Sequence, residues 1–359
     1  MSHLSVYIIA EAGVNHNGSL ELARQLVSTA AAAGADAVKF QTFDAKKLAR
    51  GSAPKAEYQK QTTEQSEGQL AMLSNLELPR EWHYELKAHA KSKGIEFLST
   101  AFDLDSLDFL AGMDMPFFKV PSGELTNGPL LWRFARLGKP LVVSTGMATL
   151  SEVEQALAVI AHAFNAEGEP ADLEEVWEGW TRPQWRRSLQ GRVTLLHCTS
   201  QYPTPMAEVN LLAMDTLAKA FGLPVGYSDH TEGILIPVAA VARGAVIVEK
   251  HFTLDRAMPG PDHLASLEPS ELMQMVRDIR ALGSALGEGA KSPQPSEWKT
   301  RKAARQQVVL ARPVTHGQVL TRADLATARS GSGLVASALW GLVGQPSNRD
   351  YTEGDLYQL

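Results

Sequence analysis

The sequence predicts an α/β fold, a (β/α)8 TIM barrel followed by a small C-terminal domain, and three observations carry that prediction. Apolar runs near residues 6–10, 37–41, 95–100, 116–120, 140–144, 193–198, 223–227 and 246–251 are of strand length and rich in Val, Ile, Leu and Phe, as strands buried on both faces of a sheet must be. Helical patterns alternate with these runs, which makes the sheet parallel. Polar side chains recur where the runs end, and the C-terminal rim of such a barrel is where active sites are built.

Taken in order, VYIIAEAG leads into Glu11 and Asn15, and Ser19 is placed to cap the helix LELARQLVSTAAAAG. DAVKFQT carries Lys39 and Gln41, IEFLST ends at Thr100, and FFKVPSGE carries Lys119, Ser122 and Glu124. LVVSTGM offers Ser144 and Thr145, after which Ser151 with Glu154 reads as a capping box for SEVEQALAVIAHAF. Residues 166–191 hold three tryptophans and are more than a minimal barrel needs; they read as a partly helical insertion on the barrel's outer side, with a lid as the alternative. VTLLHCTSQY brings Ser200 and Tyr202, LPVGYSDHT brings Ser228 and His230, and VIVEKHF brings Glu249 and His251.

The expected organisation is a barrel over 1–288, a linker over 289–301 in which Pro293 and Pro295 break the helix, and a small domain over 302–359. A barrel alone takes about 250 residues, so the 359 of this chain leave room for such an appendage. In QQVVLARPVTHGQVLTRADLA a strand, a turn at Gly317 and a second strand follow one another. About 55 residues support only a marginal core, so docking onto the barrel or a second chain is expected.

Net charge of −6 and pI near 6.0, without a long basic run, argue against nucleic acid as a main partner. Cys198 is the single cysteine, so no intrachain disulfide forms, in keeping with a reducing compartment. With no leader-like segment at Met1 and no apolar run of about 18 residues, a soluble cytoplasmic protein without membrane partners is expected.

His230 and His251 follow neighbouring strands, so they either hydrogen-bond on the rim or offer two imidazoles to a divalent metal with open positions for substrate; neutral imidazole favours Mn, Zn, Fe or Co over Mg. Asp262 either holds a metal-bound water or caps its loop. Lys39 and Lys119, with the hydroxyls of Thr100, Ser122, Ser144 and Ser228, form an anion site suited to a phosphate plus a carboxylate, or one lysine forms a Schiff base. Singly, each hydroxyl is more simply a satisfied turn residue. Glu11, Glu124 and Gln41 suit sugar hydroxyls or acid–base work, or neutralise the lysines. His16 and His197 read as structural.

AEAGVNHNG, VKFQTF, FFKVPSGE, STGMATLSEVE, HCTSQYPTP, GYSDHTEG, VEKHFTLDR and GPDHLASLEP, in this order and spacing, resemble the sialic acid synthase family. Its members condense phosphoenolpyruvate with an N-acetylated hexose to a nine-carbon 2-keto acid. The resemblance runs from Tyr7 to the C-terminus apart from the insertion. It implies His230 and His251 as metal ligands, usually for manganese, with magnesium or cobalt as alternatives. It implies Lys39, Thr100, Lys119, Ser122, Ser144 and Ser228 as phosphoenolpyruvate contacts, with Ser200 at a position where the neuraminate enzymes often carry Asn. Glu11, Gln41, Glu124, Tyr202 and Asp262 match positions lining the sugar, and Glu11, Glu124 and Asp262 join the histidines as the catalytic set.

The C-terminal segment resembles the family's antifreeze-like domain, which implies a domain-swapped homodimer in which Arg329 reaches the partner's site. Ser330, Gly331, Ser332 and Gly333 stand where the family's neuraminate enzymes often have Pro-Gly-Asn-Gly. KAEYQKQTTE, CTSQYPTP and EVNLLAMDTLAKAFGLPVGYSDHTEG resemble the legionaminic acid branch, and ASLEP after GPDH separates the chain from the pseudaminic acid branch. The expected acceptor is therefore 2,4-diacetamido-2,4,6-trideoxymannose, with N-acetylmannosamine as the alternative. The implied chemistry is attack by carbon 3 of phosphoenolpyruvate on a metal-polarised aldehyde, water addition at carbon 2 and phosphate loss by C–O cleavage. More distant readings are a Schiff-base aldolase through Lys39 or Lys119 and a non-catalytic sugar-binding protein.

Overall fold

The structure is a computed structural model and describes residues 6–50, Lys55 and 68–359; positions 56–64, most of the KAEYQKQTTE segment, lie outside the described residues. Among those described, the sheet runs β3-β2-β1-β8-β7-β6-β5-β4 and is parallel throughout. Its strands are β1 (Tyr7–Gly13), β2 (Ala37–Thr42), β3 (Glu96–Ala101), β4 (Phe118–Val120), β5 (Leu141–Ser144), β6 (Val193–His197), β7 (Val225–Asp229) and β8 (Ile247–His251). All eight expected strands form. β8 pairs with β1, Glu11 standing opposite His251, so the last strand closes onto the first. β3 and β4 lie side by side at the remaining seam, where the Ser99 N–H meets Met115 Sδ at 3.2 Å. This is the near-closed parallel sheet of a (β/α)8 barrel.

Helices cover the outside of the sheet. The helix Leu20–Ala33 begins at Ser19, whose hydroxyl accepts the Leu22 N–H, and ends at Gly34 in the left-handed region (φ 82°). Its Ala23, Leu26, Val27 and Ala30 bury one stripe, the 3–4 spacing of a helix facing a core. The helix Leu150–Asn165 is capped differently from the sequence reading. Thr149, not Ser151, is the cap: it takes the Glu152 N–H, and Glu152 bonds back to the Thr149 N–H at 2.7 Å. Glu154, the expected partner of Ser151, instead accepts the indole N–H of Trp180 at 2.9 Å. Both pairs fit the capping pattern; the extended backbone at Thr149 (ψ 163°) decides between them.

That Trp180 bond anchors the 166–191 insertion. It forms the helices Leu173–Trp180 and Pro183–Arg187, and His162 of the helix beneath meets the Trp185 ring edge-on at 5.5 Å. Trp185 packs so close to Gly179 that a methyl group there would come 2.1 Å from its ring. None of the insertion lines the site cavity described below.

The chain divides into compact units at Met1–Gly287 and Glu288–Leu359. Within the second, Pro295 opens a short 3-10 turn that runs into the helix Trp298–Ala304, so part of the 289–301 stretch is helical. β9 (Gln306–Leu310) pairs antiparallel with β10 (Leu325–Arg329). The two are not a tight hairpin; Gly317 (φ 78°) turns the longer connection between them. Val308, Leu310, Val314, Leu320, Leu325, Tyr351 and Tyr357 make the core of this unit. No helix among the described residues is long and apolar enough to cross a membrane.

Because Thr149 caps its helix and Ser151 only sits in the first turn, Thr149→Ala should cost about 0.5–2 kcal/mol. Ser151→Ala should cost markedly less, as measured by urea unfolding of the two variants.

Candidate active site

Side chains alternate across a strand, and in this barrel the alternation sends one residue in two toward the axis. On β7 and its exit Ser228 and His230 point inward; on β8 Glu249 and His251 do. Together with the other strand ends they line a cavity of about 470 Å³. Glu11, Lys39 and Gln41 line it from β1 and β2, Thr100 and Lys119 from β3 and β4, Ser122 and Glu124 from the turn after β4. Ser144, Ser200, Tyr202, Ser228, His230, His251 and Asp262 complete the lining. Every barrel residue given a candidate site role in the sequence is therefore in one place, whereas Asn15 and Thr145, also named at strand ends, do not line the cavity. Arg329 belongs to the other unit and is exposed at the end of β10.

The floor is a buried charge cluster. Lys39 Nζ lies 2.8 Å from Glu11 Oε2 and 3.6 Å from Glu249 Oε2, and donates to Thr100 Oγ1 at 2.9 Å. Lys119 Nζ lies 3.4 Å from Glu249 Oε1, which also accepts the Ser228 hydroxyl at 2.8 Å. The sequence placed Glu249 at a strand end but gave it no role; its position two residues before His251, hence on the same face, was the available signal. The lysines are thus not a bare anion site. Each has a carboxylate partner that an incoming anion must displace or share.

The four charges do not titrate alike. Burial pushes the Glu11 carboxyl up to about 7, with Lys39 opposing. Burial also disfavours the Glu249 anion, but Lys119 and Lys39 outweigh it and hold this carboxyl below its ordinary range. Burial lowers Lys119 despite Glu249, whereas in Lys39 the pull of Glu11 and Glu249 overcomes burial and raises it. With Glu11 protonated, two ammonium groups face one carboxylate, so the floor becomes net positive.

Above this floor stand the two histidines, ring centres 5.5 Å apart. His230 Nδ1 donates to the Thr199 carbonyl at 2.7 Å, which leaves the Nε2 lone pair facing the cavity and the Tyr202 hydroxyl at 3.0 Å. His251 Nδ1 is buried without a hydrogen-bond partner, 3.9 Å from Asp262 Oδ2. Burial lowers both imidazoles, His251 further because His230 is beside it, and raises Asp262 to about 6. Neutral rings with free lone pairs are what a divalent ion requires. Among the described residues no group of three or more His, Cys, Asp or Glu could hold an ion. The donor set that fits is two imidazoles, with water or substrate oxygens completing the shell.

On the opposite side Ser122 Oγ accepts the Gly146 N–H at 3.0 Å and lies 3.2 Å from Cys198 Sγ. A methyl group at 146 would come 2.4 Å from Ser200 Oγ and 2.8 Å from Ser122 Oγ, so glycine lets these hydroxyls converge. Glu124 is turned aside, accepting from Asn127 at 2.7 Å. One wall is apolar: Val14, Phe43, Met72 and Leu76 form a cluster with Leu48, Leu73 and Phe102, and all of them line the cavity. No polar strand-end pattern pointed to it. His16 and His197 stay outside the cavity; His16 accepts the Gly18 N–H and His197 meets the Val209 carbonyl.

Residues 26–291 match the model of the NeuB family. The chain belongs to the NeuB family. It is 44% identical over 353 residues to the N,N'-diacetyllegionaminic acid synthase of Legionella pneumophila, covering 98% of this chain and 93% of that one. The enzyme of that name from Campylobacter jejuni is 45% identical over 349 residues, covering 97% and 98%. Among solved structures, the N-acetylneuraminic acid (sialic acid) synthetase of Leptospira borgpetersenii, crystallised with citrate, is 32% identical with a TM-score of 0.68, over 84% of this chain and 92% of that one.

Glu11 supplies a test by pH. Its carboxyl binds a proton in the folded protein up to about 7 but only to its ordinary 4.5 when unfolded. The folded state therefore binds more protons between these values, and stability falls as pH rises through that window. Unfolding free energy followed from pH 4.5 to 7 should decline more steeply for the wild type than for Glu11→Gln; parallel profiles would contradict the raised value.

Proposed function

We propose that this protein condenses phosphoenolpyruvate with 2,4-diacetamido-2,4,6-trideoxymannose, forming a legionaminate-type nine-carbon 2-keto acid and releasing phosphate. The observation that carries the reading is the single cavity in which two buried lysines with their hydroxyls lie beneath two neutral imidazoles, in a chain 44% and 45% identical to two legionaminic acid synthases.

In this reading Lys39 and Lys119 leave Glu11 and Glu249 for the carboxylate and phosphate of phosphoenolpyruvate, assisted by Thr100, Ser122, Ser144, Ser200 and Ser228. They hold carbon 3 beneath the open-chain aldehyde, so that positioning supplies much of the rate. Gln41, Glu124 and Tyr202 orient the sugar. Glu11 and Asp262, both raised by burial toward neutrality, move protons: one reaches the aldehyde oxygen as the carbon–carbon bond forms, and one leaves the water that adds at carbon 2. His230 and His251 would hold a divalent ion, manganese first with magnesium or cobalt as alternatives, which when bound would supply Lewis-acid polarisation of the aldehyde oxygen. The apolar wall at Phe43, Met72 and Phe102 suits a 6-deoxy sugar better than one ending in a hydroxymethyl group.

Purified protein given manganese, phosphoenolpyruvate and either the diacetamido sugar or N-acetylmannosamine should release phosphate with a kcat/KM about tenfold or more higher for the former. Preference for N-acetylmannosamine would make it a neuraminate synthase instead. Trapping of substrate by borohydride with indifference to chelator would favour the Schiff-base aldolase, and no sugar-dependent phosphate release would favour a binding protein.

The same reading makes the C-terminal unit an antifreeze-like domain of a cytoplasmic, domain-swapped homodimer, in which Arg329 offers its guanidinium to the partner's sugar site. Its support is the sequence resemblance together with the exposure of Arg329. Arg329→Ala and His251→Ala should each abolish turnover, while mixing them under subunit exchange should restore part of it, one composite site receiving both intact residues. No recovery despite proven exchange would place the arginine in its own chain's service.

A further inference from the structure

The alternation that turns Ser228, His230, Glu249 and His251 inward turns Asp229 and Lys250 outward, into the layer between strands and helices. Both are fully buried, 0% exposed, and Lys250 Nζ donates to Asp229 Oδ2 at 2.5 Å. The two are also register partners across β7 and β8. The same ammonium bonds the backbone carbonyl of Thr231. Thr231 in turn gives its hydroxyl to both Asp229 carboxylate oxygens at 3.0 Å and its N–H to Oδ1 at 3.2 Å. The residues before and after His230 are thus both tied to the residue before His251.

A buried ion pair is a poor device for stability alone, since a well-packed apolar pair of similar volume does as well or better. Its place in the fold supplies a different reason. We infer that Lys250, with Asp229, is a positioning residue for the metal site, fixing the separation and direction of the His230 and His251 imidazoles from behind the sheet. The inference rests on the reading of those two histidines as the ion-binding pair. Neither Asp229 nor Lys250 lines the cavity, so neither is placed to ligate the ion itself. Partners hydrogen-bonded directly to ligating side chains set metal affinity by about 10–100-fold, and this pair braces the backbone on either side of His230 and before His251.

The test uses the full-length, chelator-treated protein and manganese alone as the probe. The double variant Asp229→Asn/Lys250→Met removes both charges, leaves an acceptor for Thr231 and keeps side-chain volume close to the original. It should melt within a few degrees of the wild type without metal, yet bind manganese at least about tenfold more weakly by calorimetry. At saturating manganese its KM for phosphoenolpyruvate should be little changed. If the double variant does not fold, Lys250→Arg, which keeps the charge but not the single point of donation, is read in its place with the same expected loss. Manganese affinity equal to wild type in a folded variant overturns the inference. His251→Ala separates this from the underlying reading: if it abolishes binding while the double variant binds normally, only the role of Lys250 fails, and if it binds normally the two-histidine site fails with it.

Discussion

At the axis of this barrel two lysines and two glutamates share one small buried volume, and the cost of burying any of them alone governs what surrounds them. An ion pair broken in such a place costs about 3–5 kcal/mol, so Lys39, Lys119, Glu11 and Glu249 hold one another in position. That mutual pairing keeps the floor of the cavity both charged and folded. It also means that an anion entering the cavity meets lysines that are already oriented and competes for them with carboxylates, one of which gives up its charge near neutral pH. Without a ligand the charges of the cluster satisfy one another, and the lysines are held already oriented toward the cavity.

The period of two along each strand divides the chemistry into two layers. Inward residues Ser228, His230, Glu249 and His251 line the cavity, while Asp229 and Lys250 between them build a second, hidden charge pair. Neighbouring loops close the arrangement. Asn15 reaches the Phe252 carbonyl at 2.8 Å and Ser266 Oγ at 3.0 Å, and Ser266 bonds the Asp262 carbonyl at 2.6 Å. The loop after β1 thereby steadies the loop that carries Asp262, across the same closure that joins β1 to β8. Barrel closure is thus a condition for the site, because its first and last strands supply Glu11, Glu249 and His251.

Much of this was legible in the residues. Short Val- and Ile-rich runs separated by amphipathic stretches specify strands and helices locally, and a polar residue at the end of a buried strand has few places to point but the rim. What escaped depended on contacts between segments far apart in sequence. Two overlapping patterns, Thr149 with Glu152 and Ser151 with Glu154, are equivalent as strings; the extended backbone at Thr149 decides between them, and Glu154 is left to accept from Trp180 of the insertion. The apolar wall was missed because Val14, Phe43, Met72 and Phe102 read singly as core residues, and they meet beside the polar rim only in the folded barrel.

The sequence by itself determined the strand order, the histidine pair and the set of polar side chains gathered at the rim, because period and composition are local properties and the barrel topology converts strand ends into neighbours. Only the tertiary structure decided which charges pair. Glu249 rather than Glu124 faces both lysines, Glu124 turning instead to Asn127, and Lys250 binds Asp229 on the far side of the same strands. The reason is physical: ion pairing in a buried site depends on distances of a few ångströms between atoms carried by different strands, and no local pattern encodes those distances.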